Sequence, residues 1–157
     1  GGSFTLTSQA ATSVFAPIST GGGNFLLDSQ GNVSFTEAVT TGGGSFSVDS
    51  EGAIAFSNPI TTSGGSILLD GSQISTVALD ASNSAGAGGS ISLLSDTNIT
   101  TGNLNSSGTS GGNISANATT AITAGRSPQQ APQAMAAALR LPSQIAHLTP
   151  AAATRLT

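Results

Sequence analysis

Thr41–Ser50 reads TGGGSFSVDS, and 21 residues earlier Thr20–Ser29 reads TGGGNFLLDS. In both, three glycines lead into alternating apolar and polar residues that stop at an aspartate. A Gly-Gly pair followed by Ser or Asn and then an apolar residue recurs with its first glycine at Gly1, Gly22, Gly43, Gly64, Gly88 and Gly111. The steps between these anchors are 21, 21, 21, 24 and 23 residues. A repeat of this length marks a chain built from stacked supersecondary units.

The residues after each anchor decide the kind of unit. Three residues on stand Phe4, Phe25, Phe46, Ile67, Ile91 and Ile114, and five residues on stand Leu6, Leu27, Val48, Leu69, Leu93 and Ala116. A spacing of two places both side chains on one face of a strand. A second strand signal comes eleven residues past the anchor, with Thr12, Val33, Ile54, Ile99 and Ile122, and two further on stand Val14, Phe35, Phe56 and Val77. A third, shorter one comes seventeen past, with Ile18, Val39 and Ile60. Helical spacing is absent from this region, and its wealth of Ser, Thr, Gly and Asn opposes helix.

Three short strands per repeat, each over its counterpart in the next, predict an all-β right-handed parallel β-helix, a solenoid of about six coils of 21–24 residues. At the usual strand spacing six coils make a rod about 29 Å long. The paired glycines Gly22 and Gly23, Gly43 and Gly44, Gly64 and Gly65, Gly88 and Gly89, and Gly111 and Gly112 are expected at corners, where the backbone takes positive φ or two backbones meet closely. The surplus of the longer steps falls in SNSAGA (82–87) and NSSGTS (105–110), read as corner loops. One coil cannot bury enough surface to fold by itself, so stability must accrue with coil number.

Composition limits what such a rod can do. Only 6% of the 157 residues are charged, and Cys, Trp and Tyr are absent, so neither a disulfide framework nor a thiolate metal site is available. All seven acids, Asp28, Glu37, Asp49, Glu51, Asp70, Asp80 and Asp96, precede residue 125; the three cations, Arg126, Arg140 and Arg155, come after it. An acidic body without Lys or Arg cannot neutralise phosphates, which argues against nucleic-acid binding. No apolar run is long enough to span a bilayer. Gly1-Gly2-Ser3 has neither an initiating Met nor a leader, so the chain reads as a piece of a longer one.

Several residue sets invite chemistry. Asp28, Asp49 and Asp70 share one place in the repeat and would stack as a carboxylate column able to offer oxygen ligands to calcium. DSQG and DSEG equally fit a turn opened by Asp and closed by Gly, and the calcium-binding nonapeptide motif is missing. The turn reading is preferred, and no cofactor is expected. Polysaccharide-cleaving enzymes also use parallel β-helices, and Asp49 with Glu51 could be offered as their carboxylate pair. Against catalysis, the body lacks a basic residue and an indole or phenol to stack on sugars, and the single histidine, His147, lies in the tail. Ser19, Thr40 and Thr61, beside Thr20, Thr41 and Thr62, form hydroxyl columns of the sort an ice-binding solenoid would need, but they run into the glycine corner. The sequons at Asn32, Asn98 and Asn117 are ascribed to composition.

The tail, 126–157, departs from the repeat. Its four prolines forbid a long helix, yet QAMAAALRL and SQIAHLT have helix-forming character, so the tail is read as a capping helix or a disordered end. With three arginines there and no dense basic face, membrane-surface binding is disfavoured.

The phrases GGNFLLDSQGNVSF, NPITTSGGSILLDGSQIST and GGSISLLSDTNITTGNLNSSGTSGGNIS give residues 1–125 a resemblance to the filamentous-haemagglutinin type of repeat. The resemblance implies a large bacterial exoprotein exported by two-partner secretion, whose long right-handed β-helix displays adhesive regions. The export domain of such proteins carries an Asn-Pro-Asn-Leu type of motif, whereas here Asn58-Pro59-Ile60 stands in mid-repeat. That departure places the chain in the shaft. The expected role is a structural shaft or display segment of a secreted or surface-attached adhesin. Its expected partners are neighbouring coils of the parent chain, with a host receptor or glycan engaged through other regions. A carbohydrate-active enzyme and an ice-binding solenoid are the competing readings.

Overall fold

Short alternating stretches punctuated by glycine and small polar residues favour strands of a few residues separated by sharp corners. In a computed structural model describing residues 1–125, this pattern gives 15 strands and no helix. Coil one holds β1 (Phe4–Ser8), β2 (Thr12–Val14) and β3 (Ile18–Ser19); coil two holds β4 (Phe25–Ser29), β5 (Val33–Phe35) and β6 (Val39–Thr40). In coil three β7 (Phe46–Phe56) runs the first two strands together and β8 (Ile60–Thr61) comes next, as do β9 (Ile67–Ser75) and β10 (Ala78–Asp80) in coil four. Coil five holds β11 (Ile91–Ser95), β12 (Asn98–Thr101) and β13 (Asn103–Asn105), and coil six β14 (Ile114–Ala118) and β15 (Ala121–Ala124). The tail of 126–157, expected as a capping helix or a disordered end, lies outside the described residues.

All the ladders are parallel, and like positions meet. First strands stack in the order β1-β4-β7-β9-β11-β14, third strands in the order β3-β6-β8-β10-β13. Phe4 pairs with Phe25, Phe25 with Phe46, Phe46 with Ile67, Ile67 with Ile91 and Ile91 with Ile114. Beside them run Leu6, Leu27, Val48, Leu69, Leu93 and Ala116. The chain is therefore a parallel β-solenoid of about six turns.

The inward side chains form one continuous core from Phe25 to Ala118. In coils one to three it is built on two columns of phenyl rings. Phe4, Phe25 and Phe46 lie nearly parallel at centroid separations of 5.1 and 4.9 Å, and Phe35 stacks on Phe56 at 4.6 Å. The two columns meet edge to face, at 5.8–6.0 Å and about 72°. The ring quadrupole favours that crossing. At the ends no further coil covers the columns among the described residues: Phe4 is 47% exposed, and Leu6 and Ile114 are half-buried.

Coil four corrects the strict arithmetic of the repeat. The pairing offset along the chain falls from 21 residues at Phe46–Ile67 to 20 at Ile54–Ile74 and 19 at Ile60–Leu79, with a β-bulge between Ser50 and Ala53. Val77, expected in the column of Phe35 and Phe56, is instead 47% exposed, and Thr76 turns inward in its place. The tighter coil replaces a ring with a small side chain. The buried Thr76 hydroxyl donates to the buried Thr101 Oγ1 across coils four and five at 2.8 Å, and Thr101 Oγ1 in turn lies 3.5 Å from the Gly102 carbonyl. The same shortening brings Leu79 and Leu104 into the third column, below Ile60.

Two glycine roles are separable at the corners. Gly42 and Gly43 take φ of 67° and 110°, a conformation that side chains resist. Gly44 instead sits where a Cβ would overlap the carbonyl oxygen of Gly23 in the coil before it, and Gly23, Gly65, Gly89 and Gly112 meet the same obstacle. Gly111 is a correction: it has no positive φ, and its Cβ would find ordinary contact distance.

Candidate functional site

Strand alternation sends residues 28, 49 and 70 outward from the first-strand face, and the register places Asp28 beside Asp49 and Asp49 beside Asp70. Asp28 and Asp49 are exposed and Asp70 is half-buried. Burial, then the charges of Asp49 and Asp96, push the Asp70 carboxyl above its ordinary value. Side chains leaving parallel strands in the same direction do not converge, and among the described residues no group of three carboxylates or imidazoles could hold a metal ion. Glu51 is exposed at the corner beyond Asp49. No basic residue lies within 1–125 to set against these acids.

The turn assigned to these aspartates is made, at Asp28 and Asp49, by the serine after them; Gly71 follows Asp70. Ser8, Ser29, Ser50 and Ser95 face inward at the end of each first strand, and the last three are buried. The Ser29 hydroxyl donates to the Ala10 carbonyl at 3.0 Å, Ser50 to Gly31 at 2.9 Å and Ser95 to Ser72 at 3.0 Å, each reaching the corner of the coil before. The Gly52 amide donates back to Ser50 Oγ at 3.1 Å. Ser8 donates to Ala10 in its own coil at 2.8 Å. The signal was available: Ser8, Ser29, Ser50, Gly71, Ser95 and Ala118 share one repeat position of inward parity.

The hydroxyl columns split in the same manner. Ser19 and Thr40 are exposed and Thr61 is half-buried, whereas Thr20, Thr41 and Thr62 are buried inside the corner. The latter three donate to the carbonyls of Gly23, Gly44 and Gly65, and two of them also approach the next coil, with Thr20 Oγ1 at 3.2 Å from the Thr41 carbonyl and Thr41 Oγ1 at 3.4 Å from that of Thr62. These hydroxyls fasten corners and cannot meet an external lattice.

The remaining prominent surface is the upper edge of coil one. A recess of about 370 Å³ opens there, lined by Phe4, Ile18, Thr20 and Phe25 among others, with the 76%-exposed Phe15 at the next corner. No helix among the described residues is long and apolar enough to cross a membrane.

Compared with protein-family models, curated proteins and solved structures, the chain matches none.

Proposed function

We propose that this chain is a shaft segment, a stiff spacer that carries display regions of a secreted or surface-attached bacterial adhesin of the filamentous-haemagglutinin type. The observation that carries the reading is the unbroken in-register stacking of the first strands from Phe4 to Ile114. Each coil's hydrogen bonds run along the rod axis, so the ladder resists bending and extension together. The outward face, with its serines, threonines and sparse acids, offers water a polar surface without cations. The shaft reading is supported by the carboxylates and hydroxyls alike: Asp28, Asp49 and Asp70 stand side by side along the rod without converging, and the buried hydroxyls of Thr41 and Ser50 are bonded to backbone.

Incubation of the chain with acidic and neutral polysaccharides tests the reading. A spacer releases no new reducing ends or unsaturated products. Turnover that is lost in Asp49→Ala would replace the shaft by a carbohydrate-active enzyme.

A further inference from the structure

The outward positions of the first strands differ from those of the other strand faces. One outward column reads Leu26, Ser47 and Leu68 in successive coils, and the column two residues on reads Asp28, Asp49, Asp70 and Leu94. Leu26, Leu68 and Leu94 are 43–45% exposed, so three of the six exposed large apolar side chains of the described residues share a face with three of the seven acids. The outward column of the second strands, by contrast, reads Ser13, Ser34, Ala55, Ser75 and Thr100, without a charge or a large apolar group. Ser47, short and half-buried, stands between Leu26 and Leu68, which lie two coil spacings or roughly 9.6 Å apart. The face is thus an apolar saddle with the exposed pair Asp28 and Asp49 about 7 Å along the strands.

The chain itself holds the complement. Its three cations all lie in 126–157, a stretch without a single acid, and of these only Arg140 stands between two leucines, Leu139 and Leu141. Length permits the contact. Gly125 ends the described residues in coil six, and coil two is four coil spacings away, roughly 19 Å. The fifteen residues from Arg126 to Arg140 span up to about 50 Å when extended.

We propose that the outer face of the first strands in coils two to four is a docking surface for the Leu139-Arg140-Leu141 stretch of the same chain. The Arg140 guanidinium lies over Asp28 and Asp49, and the leucines rest on Leu26 and Leu68 to either side of Ser47. A guanidinium suits this place because its planar fork of donors serves two carboxylates at once while its weakly hydrated faces tolerate aliphatic neighbours. The contact is on the flank of the rod, not over the end of coil six where a capping helix would sit. A second solenoid is the poorer occupant, since residues 1–125 contain no cation and would set acid against acid. This inference goes beyond the shaft reading and does not depend on it.

The test uses the full chain, which has no cysteine, with a nitroxide attached at Ser66→Cys, an exposed position at the rim of this face, or at Ser75→Cys on the second-strand face of the same coil. Amide signals of 135–148 are compared with the nitroxide oxidised and reduced. The Ser66→Cys nitroxide is expected to remove most of the intensity around Leu139 to Leu141, and the Ser75→Cys nitroxide to spare it. Asp28→Asn combined with Asp49→Asn should restore the signals, as should Arg140→Gln, a change made outside the solenoid that leaves its packing intact. In a mixture of nitroxide-bearing chains with isotope-labelled chains lacking the nitroxide, the labelled signals should keep their intensity. No loss from Ser66→Cys, equal loss from both positions, or loss untouched by the Asp and Arg140 variants overturns the docking surface. Equal loss in the mixture overturns it in favour of contact with a second copy.

Discussion

Gly44 illustrates how a single atom sets the pitch of the molecule at one corner. Its missing Cβ lets its backbone sit against the Gly23 carbonyl, and nothing flexible stands there to yield. Gly44→Ala is therefore expected to cost about 2–3 kcal/mol in chemical denaturation, as a forced overlap does in a packed interior. Gly2→Ala, whose Cβ meets open space, should leave stability unchanged. Asp70 shows the opposite economy, a residue retained against its electrostatic surroundings. Because its native carboxyl binds a proton more readily than the unfolded chain's, the native state is favoured most below the ordinary carboxylate range. That advantage is lost as pH rises through the elevated native value. Asp70→Asn should thus raise the melting temperature at pH 7 by on the order of 1–2 °C, and the gain should vanish in acid, where both forms are neutral.

Among the elements, the phenyl columns in coils one to three carry the heaviest packing, and position within the stack decides the cost of losing a ring. Phe46, fully buried between Phe25 and Ile67, should cost about 3–5 kcal/mol when replaced by Ala. Phe4→Ala, made at a half-open site, should cost clearly less. In coils four and five the Thr76–Thr101 pair replaces the ring, and its energetics are those of a buried hydroxyl that needs its acceptor. Thr101→Val should destabilise by about 1–2 kcal/mol by stranding the Thr76 hydroxyl, and adding Thr76→Val should recover most of it, as a double-mutant cycle would read. The first-strand columns were legible because every anchor keeps its distance to the apolar residues after it. The inversion at Thr76 and Val77 was not, since nothing local marks a corner shortened by one residue. The misassigned turn has a different origin: Asp is a strong turn former by propensity, and only strand parity reveals that Ser29 and Ser50 point inward while Asp28 and Asp49 point out.

At the scale of the whole molecule the solenoid is a column of similar units whose stability is shared between neighbours. Its core thins toward coil six, where the inward positions are Ile114, Ala116, Ala118 and Ile122 in place of the rings of coils two and three. Hydrogen exchange should accordingly be slowest in β4, β7 and β9 and fastest in β14 and β15, giving an ordered loss of coils from the thin end; uniform protection would contradict nearest-neighbour stacking. From the primary structure alone came the repeat, the strands, the stacking of like on like and the absence of cations from the body, because each depends only on spacing and residue type. Three-dimensional packing decided the rest: where coil four tightens, which hydroxyls turn inward to fasten corners, and that the three aspartates align without converging. Those outcomes depend on which neighbour a residue meets in the adjacent coil, and a change of one residue in a corner reassigns that neighbour for every residue up to the next corner.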